Sequence, residues 1–87
     1  MNDSELLEKV KSILLISTNY HDEMLKGYIS EVKDYMKMAG VNTFTLKEQR
    51  TVGIIAKGVS DLWTQGELSN YFYERLSQLA IGGDSNV

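Results

Sequence analysis

Apolar residues recur at helical spacing in four stretches of this chain, and no proline interrupts any of them. Nothing else constrains the fold as tightly. Leu6, Val10, Ile13 and Leu14 mark the first stretch, and Leu25, Ile29, Val32, Met36 and Ala39 the second. Val52, Ile55, Val59 and Leu62 mark the third, and Leu68, Phe72, Leu76 and Leu79 the fourth. Residues three and four apart share one face of an α-helix, so each stretch carries an apolar stripe that must be covered. The expected fold is all-α, a small bundle of about four helices with short connections.

Polar residues and glycines set the expected boundaries. The first helix runs from about Ser4 to Leu15, capped by Asp3 or Ser4 and broken by Ser17-Thr18-Asn19. The second runs from about Tyr20 to Ala39, with Asn19 as its cap. Asp22 and Glu23 then sit in the first turn, where carboxylates favour the positive end of the helix dipole. Gly40 stands where that helix stops. The third begins at Thr45, because Thr45 and Glu48 have capping-box spacing. Gly53 and Gly58 each weaken it by about 1 kcal/mol relative to alanine, so a close contact or a kink is expected there. A short strand over Thr51 to Ala56 is the alternative for that segment. The fourth helix follows Gly66, with Ser69 as cap. Residues 1–81 read as one helical domain, and residues 82–87, polar and glycine-containing, as a flexible tail.

A chain of 87 residues has a small core, which buries roughly 60 to 65% of the unfolded surface. Its stability as a monomer is on the order of 5 kcal/mol or less. Without cysteine it has neither disulfides nor thiolate metal sites, and one histidine cannot make a multi-histidine site. Association with copies or partners is the remaining source of stability. The acidic start, MNDSELLEK, is unlike a signal peptide. The longest aliphatic run, Ile13 to Ile16, is too short for a membrane span. A cytoplasmic chain with no membrane partner is expected.

No catalytic constellation reads out, so no enzyme and no cofactor is expected. His21 is alone beside Asp22 and Glu23, and adjacent helical side chains diverge by about 100°. These three read as a helix N-terminus. Ser60 with Asp61, and Ser69 with Glu67, have no base nearby in sequence. Gly53 and Gly58 have phosphate-loop spacing, but Val59 and Ser60 follow where such a loop needs lysine. The net charge of −3 argues against a strong duplex-DNA binder. A helix-turn-helix over the third and fourth segments would start its recognition helix with Glu67-Leu68-Ser69-Asn70-Tyr71, an acid and an aromatic where basic and amide side chains are needed. A small helical DNA-binding or regulatory protein remains the alternative reading. Lys9, Lys11, Lys26, Lys33 and Lys37 are mostly offset by neighbouring acids at helical spacing and read as a solvated face.

The aromatic residues are the chemistry that is present. Trp63, Tyr71, Phe72 and Tyr73 crowd one short segment, with Arg75 in the same helix. Leu62, Leu68, Phe72, Leu76 and Leu79 would suffice for the core side of that region. Trp63, Tyr71, Tyr73 and Tyr20 or Tyr28 are then more than a small core buries. Aromatics and arginine in excess of the core are typical of protein interfaces. A core anchor is the competing role for Trp63.

The pattern Leu6-Leu7-Glu8-Lys9-Val10-Lys11, a polar break, then Asp22-Glu23-Met24-Leu25 in a helix ending at glycine resembles the start of phage head–tail connector proteins. Gly58-Val59-Ser60-Asp61-Leu62-Trp63, then Leu68-Ser69, Phe72 and Arg75-Leu76-Ser77-Gln78-Leu79-Ala80 is similar to the end of the same family in phages and prophages of Gram-positive bacteria. The resemblance covers about Ser4 to Ala80, and its second half is the more specific. It implies a virion structural protein at the head–tail junction, present in the host cytoplasm before assembly. It implies a ring, commonly dodecameric, beneath the portal, extending the DNA channel and offering a surface to a tail or stopper protein. DNA would touch the channel wall without sequence preference, and the tail could order against the portal. The positions that match the signature and are carried over as interface residues are Asp61, Leu62, Trp63, Phe72 and Arg75.

Overall fold

A computed structural model describes residues 2–85, with side chains described through residue 80. Five α-helices follow one another: α1 (Asp3–Ile13), α2 (Asp22–Met38), α3 (Thr43–Leu46), α4 (Val52–Gln65) and α5 (Asn70–Ser85). A 3-10 turn, Gln49–Thr51, leads into α4. No strand occurs among the described residues, so Thr51 to Ala56 is turn and helix. The chain is an all-α bundle, with one short helix more than the spacing predicts. The end of α5 overlaps the segment 82–87, and Asn86 and Val87 lie outside the described residues.

α4 is the central element. It packs against α1, α2 and α5, which explains its apolar character on nearly every side. Val52, Ile55, Ala56 and Val59 meet Leu6, Leu7 and Val10 of α1, Leu25, Ile29, Val32 and Met36 of α2, and Phe72, Leu76 and Leu79 of α5 in one core. Phe72 is the largest side chain that is completely buried. Gly58 lets the three helices close on one another. A Cβ there would lie 2.8 Å from Phe72 Cε1 and 2.9 Å from either methyl of Val32. Gly53 faces open space and has no such reason to be glycine. Of the positions expected in the stripes, Ile13 and Ala39 are exposed instead, and Leu7 is buried in their place.

Three expected caps are corrected by the structure. Asn2, not Asp3 or Ser4, caps α1 by accepting from the Glu5 amide at 2.8 Å. Asn19 does not cap α2, because its Oδ1 accepts from Lys11 Nζ at 2.9 Å. His21 holds the cap position without a side-chain bond, and Asp22 and Glu23 supply the charge that the helix start favours. Thr45 does not open the third long helix. It lies inside α3, whose cap is Asn42 Oδ1, 2.8 Å from the Thr45 amide. The α4 start is tied down elsewhere: the buried Thr51 hydroxyl donates to the Thr45 carbonyl at 2.6 Å.

The helix ends are equally specific. α2 ends with the Gly40 amide on the Lys37 carbonyl and the Val41 amide on the Met36 carbonyl, with Gly40 at φ +101°. This pair of bonds needs a left-handed residue, which glycine adopts without steric cost. α4 ends at Gly66, also left-handed at φ +76°. α1 makes the same pair of bonds as α2, Leu15 amide to Ser12 carbonyl and Ile16 amide to Lys11 carbonyl, but its left-handed residue is Leu15, at φ +61°.

Candidate assembly surface

Two buried charges pin the two loops at one end of the bundle. Lys11, on α1, is almost fully buried, and its ammonium donates to Asn19 and to Asp22 Oδ1 at 2.8 Å. It therefore binds the α1–α2 loop to the start of α2. This corrects its assignment to a solvated face. Lys26 and Lys37 do pair with acids three residues away, Glu23 and Asp34, on the outside of α2. Lys33 reaches Asp3 of α1, and Lys9 donates to Gln49.

Asp61 is the counterpart on α4. Its buried carboxylate accepts from the Ser69 amide at 3.0 Å and the Ser69 hydroxyl at 2.6 Å. Lys57 reaches its other oxygen at 2.9 Å. The Ser69 oxygen in turn accepts from the Phe72 amide at 3.2 Å, so Ser69 caps α5 as expected. Burial pushes the Asp61 carboxyl up, but the Ser69 and Lys57 bonds outweigh burial and hold it below the usual carboxylate value.

The residues carried over from the signature thus divide. Asp61 and Phe72 are interior, and Leu62 is half-buried against the core. Their contacts position α5 on α4. Trp63 is 36% exposed and lies edge-on to His21 with ring centres 5.2 Å apart. Arg75 is exposed beside the Tyr71 hydroxyl at 3.4 Å, and Lys57 stands 5.9 Å over the Tyr71 ring.

Two apolar surfaces emerge, at different places on the molecule. One is the α1–α2 apex, where Leu15 is 90% and Tyr20 87% exposed, with Ile13, His21 and Trp63 around them. The other is a groove of about 440 Å³ between α2 and the α4–α5 junction, lined by Tyr35, Met38, Leu62, Leu68 and Tyr73. Tyr35 and Tyr73 pack with ring centres 5.7 Å apart and also wall a second recess toward Ala39, Leu76 and Ala80. The Tyr35 hydroxyl, foremost, raises the Tyr73 hydroxyl above the ordinary tyrosine value. Phe44, on α3, is a further exposed ring, apart from both surfaces.

Sequence reasoning did not single out Leu15, Met38 or Phe44. At helix ends an apolar residue reads as the last member of a core stripe, and only three dimensions show it outside. Among the described residues, no group of three or more histidine, cysteine or carboxylate side chains could hold a metal. No helix there is long and apolar enough to cross a membrane.

The exposed apolar surfaces suit association, and comparison with known families agrees with that. The model of the phage gp6-like head-tail connector proteins matches residues 4–73. The chain belongs to this family. No curated protein and no solved structure matches it significantly. Membership makes the head–tail connector a structural component of the phage particle, associated with other head and tail proteins. The match ends at Tyr73, so Arg75 lies beyond it. Within it, Gly58 and Asp61 have plain physical reasons: Gly58 admits Phe72 against α4, and Asp61 holds the Ser69 cap.

Proposed function

We propose that this connector assembles into a closed ring, commonly dodecameric in such proteins, at the portal vertex of the head. The ring joins head to tail and extends the channel through which DNA passes. It meets the portal on one side and a tail or stopper protein on the other, and it forms from subunits made in the host cytoplasm. DNA touches the channel wall without sequence preference, and no reaction is catalysed. Of the signature residues, Trp63 and Arg75 face partners, while Asp61, Leu62 and Phe72 hold the α4–α5 junction in shape beneath them.

One observation carries this reading: a lone subunit leaves two separate apolar surfaces uncovered, the α1–α2 apex and the α2–α5 groove. A subunit in a ring has two different neighbours and so needs two different surfaces. An isologous dimer would need only one. The lysines on the outside of α2, each beside a carboxylate, give no strong basic face for a sequence-specific DNA binder.

Light scattering over a concentration series, with and without portal, tests the proposal. Mass should climb toward one large closed species. A monomer or dimer at every concentration, even with portal present, would overturn it. Trp63→Ala and Arg75→Ala should each weaken assembly while leaving the melting temperature of the subunit within a few degrees. A Trp63→Ala protein that only melts would make Trp63 a core residue.

A further inference from the structure

We propose that the ring contact is a knob in a groove: Leu15 of one copy seats in the groove of the next, beside Tyr35 and Tyr73 and against Met38, Leu62 and Leu68. The inference rests on the ring reading and adds the contact that would build it. Leu15 is the one non-glycine residue with positive φ among those described, and its side chain is almost wholly in water. A left-handed leucine is strained, and an exposed leucine gains nothing from burial. Gly40, which closes the same pair of bonds on α2, shows that this chain uses glycine where only the turn matters. The leucine side chain therefore serves something outside its own subunit.

Its own groove is out of reach. Lys11 ties the apex to Asp22 at the start of α2, and Tyr35 lies more than three turns further on, about 20 Å at the helical rise per residue. The occupant is thus another molecule, and charge favours a second copy. Glu31 and Asp34 rim the groove. From Ser12 to Tyr20 the apex has no charged residue, so it approaches that rim without like-charge repulsion. Ser12, Ser17, Thr18 and Asn19 bring hydroxyl and amide groups that can donate to the rim carboxylates. The exposed start of α1, with Asp3, Glu5 and Glu8, would bring acid to acid. Knob and groove sit on different parts of the molecule, so the contact is head-to-tail and repeats from copy to copy.

Two variants test this. Leu15→Gly removes the knob, and Met38→Asp puts a charge into the groove at a side chain that is 88% exposed. Each alone should shift the concentration for assembly upward at least tenfold, with the Leu15→Gly melting temperature unchanged or higher. Mixed one to one, they should form a heterodimer and stop there, because only one sound contact exists per pair. If wild type assembles and Leu15→Gly assembles equally well, the knob is wrong but the ring stands. The same holds if the mixture stays monomeric, or if Phe44→Ala and not Leu15→Gly dissolves the ring. If wild type never assembles, the ring reading falls and the contact with it.

Discussion

The loops α1–α2 and α4–α5 are built alike and stopped differently. In each, a buried charge near the end of one helix reaches forward over eight residues and holds the next helix start. Lys11 holds Asn19 and, beyond it, Asp22; Asp61 holds Ser69. The two loops are neighbours, since His21 at the end of one touches Trp63 beside the other. Yet α4 stops at a left-handed glycine, Gly66, and α1 at a left-handed leucine, Leu15. One loop is optimised for the subunit alone. The other accepts strain to keep a hydrocarbon side chain in water, which is sensible only if a partner covers it.

The largest test of the likeness is Lys11→Ala. It leaves Asp22 without its cation, frees Asn19 and removes a buried aliphatic stem. Asp22 is still partly in water, so the loss is about 3 kcal/mol, below the upper range for a buried pair. That is more than half of what a domain this size can hold, and urea unfolding would read it directly. A loss under 1 kcal/mol would mean that the loop is held by packing alone.

Asp61→Ala comes next, at about 2 kcal/mol. It removes both Ser69 bonds and weakens the cap on α5. It strands no buried charge, because Lys57 reaches solvent. Acid separates the two clamps further. The folded Asp61 carboxyl lies below its ordinary value of 3.8. Its contribution is therefore fully present above the unfolded value, and is lost as pH falls through the lower folded one. The gap in urea midpoint between wild type and Asp61→Asn should be widest above about pH 5 and close toward pH 2. A gap independent of pH would show that the carboxylate charge is immaterial.

These clamps also mark what was legible in the sequence. The four long stripes and the all-α fold follow from spacing, because one-dimensional periodicity and helical faces are the same information. So do Gly40 and Gly66 as stops and Ser69 as a cap. Lys11 was not legible: its partners lie across a loop, and burial of a lysine depends on where α2 returns. Asn19 has the composition of a cap, but a nearby ammonium claims its oxygen. Thr45 and Glu48 satisfy a capping-box pattern, yet Asn42 caps three residues earlier and the turn at Gln49–Thr51 resets the helix. The exposed apolar surface is legible as an excess of aromatic residues and illegible in its location. Trp63 and Tyr73 reach the surface from the expected segment, whereas Leu15, Met38 and Phe44 join them from helix ends and the short α3.

Exchanging the two stops gives a smaller effect. Gly66→Leu puts a left-handed leucine where glycine stands. The strain costs about 1–2 kcal/mol, partly offset by the lower entropy of the unfolded chain, for a net loss of about 1 kcal/mol. Nothing lies within 4 Å of a Cβ at Gly66, so no clash confuses the measurement.

The reverse exchange, Leu15→Gly, has the smallest effect and the sharpest meaning. Relief of strain and the greater freedom of unfolded glycine nearly cancel, leaving a gain of about 0.5 kcal/mol in the monomer. Because Leu15 is exposed, little burial is lost in exchange. Urea unfolding at a concentration where wild type is monomeric would read the gain. A loss above 1 kcal/mol would mean that the leucine serves its own fold, and the contrast between the two loops would then say nothing about assembly. A gain would mean that the isolated subunit is better off without Leu15, so the reason for its presence must lie in contacts that the isolated subunit does not make.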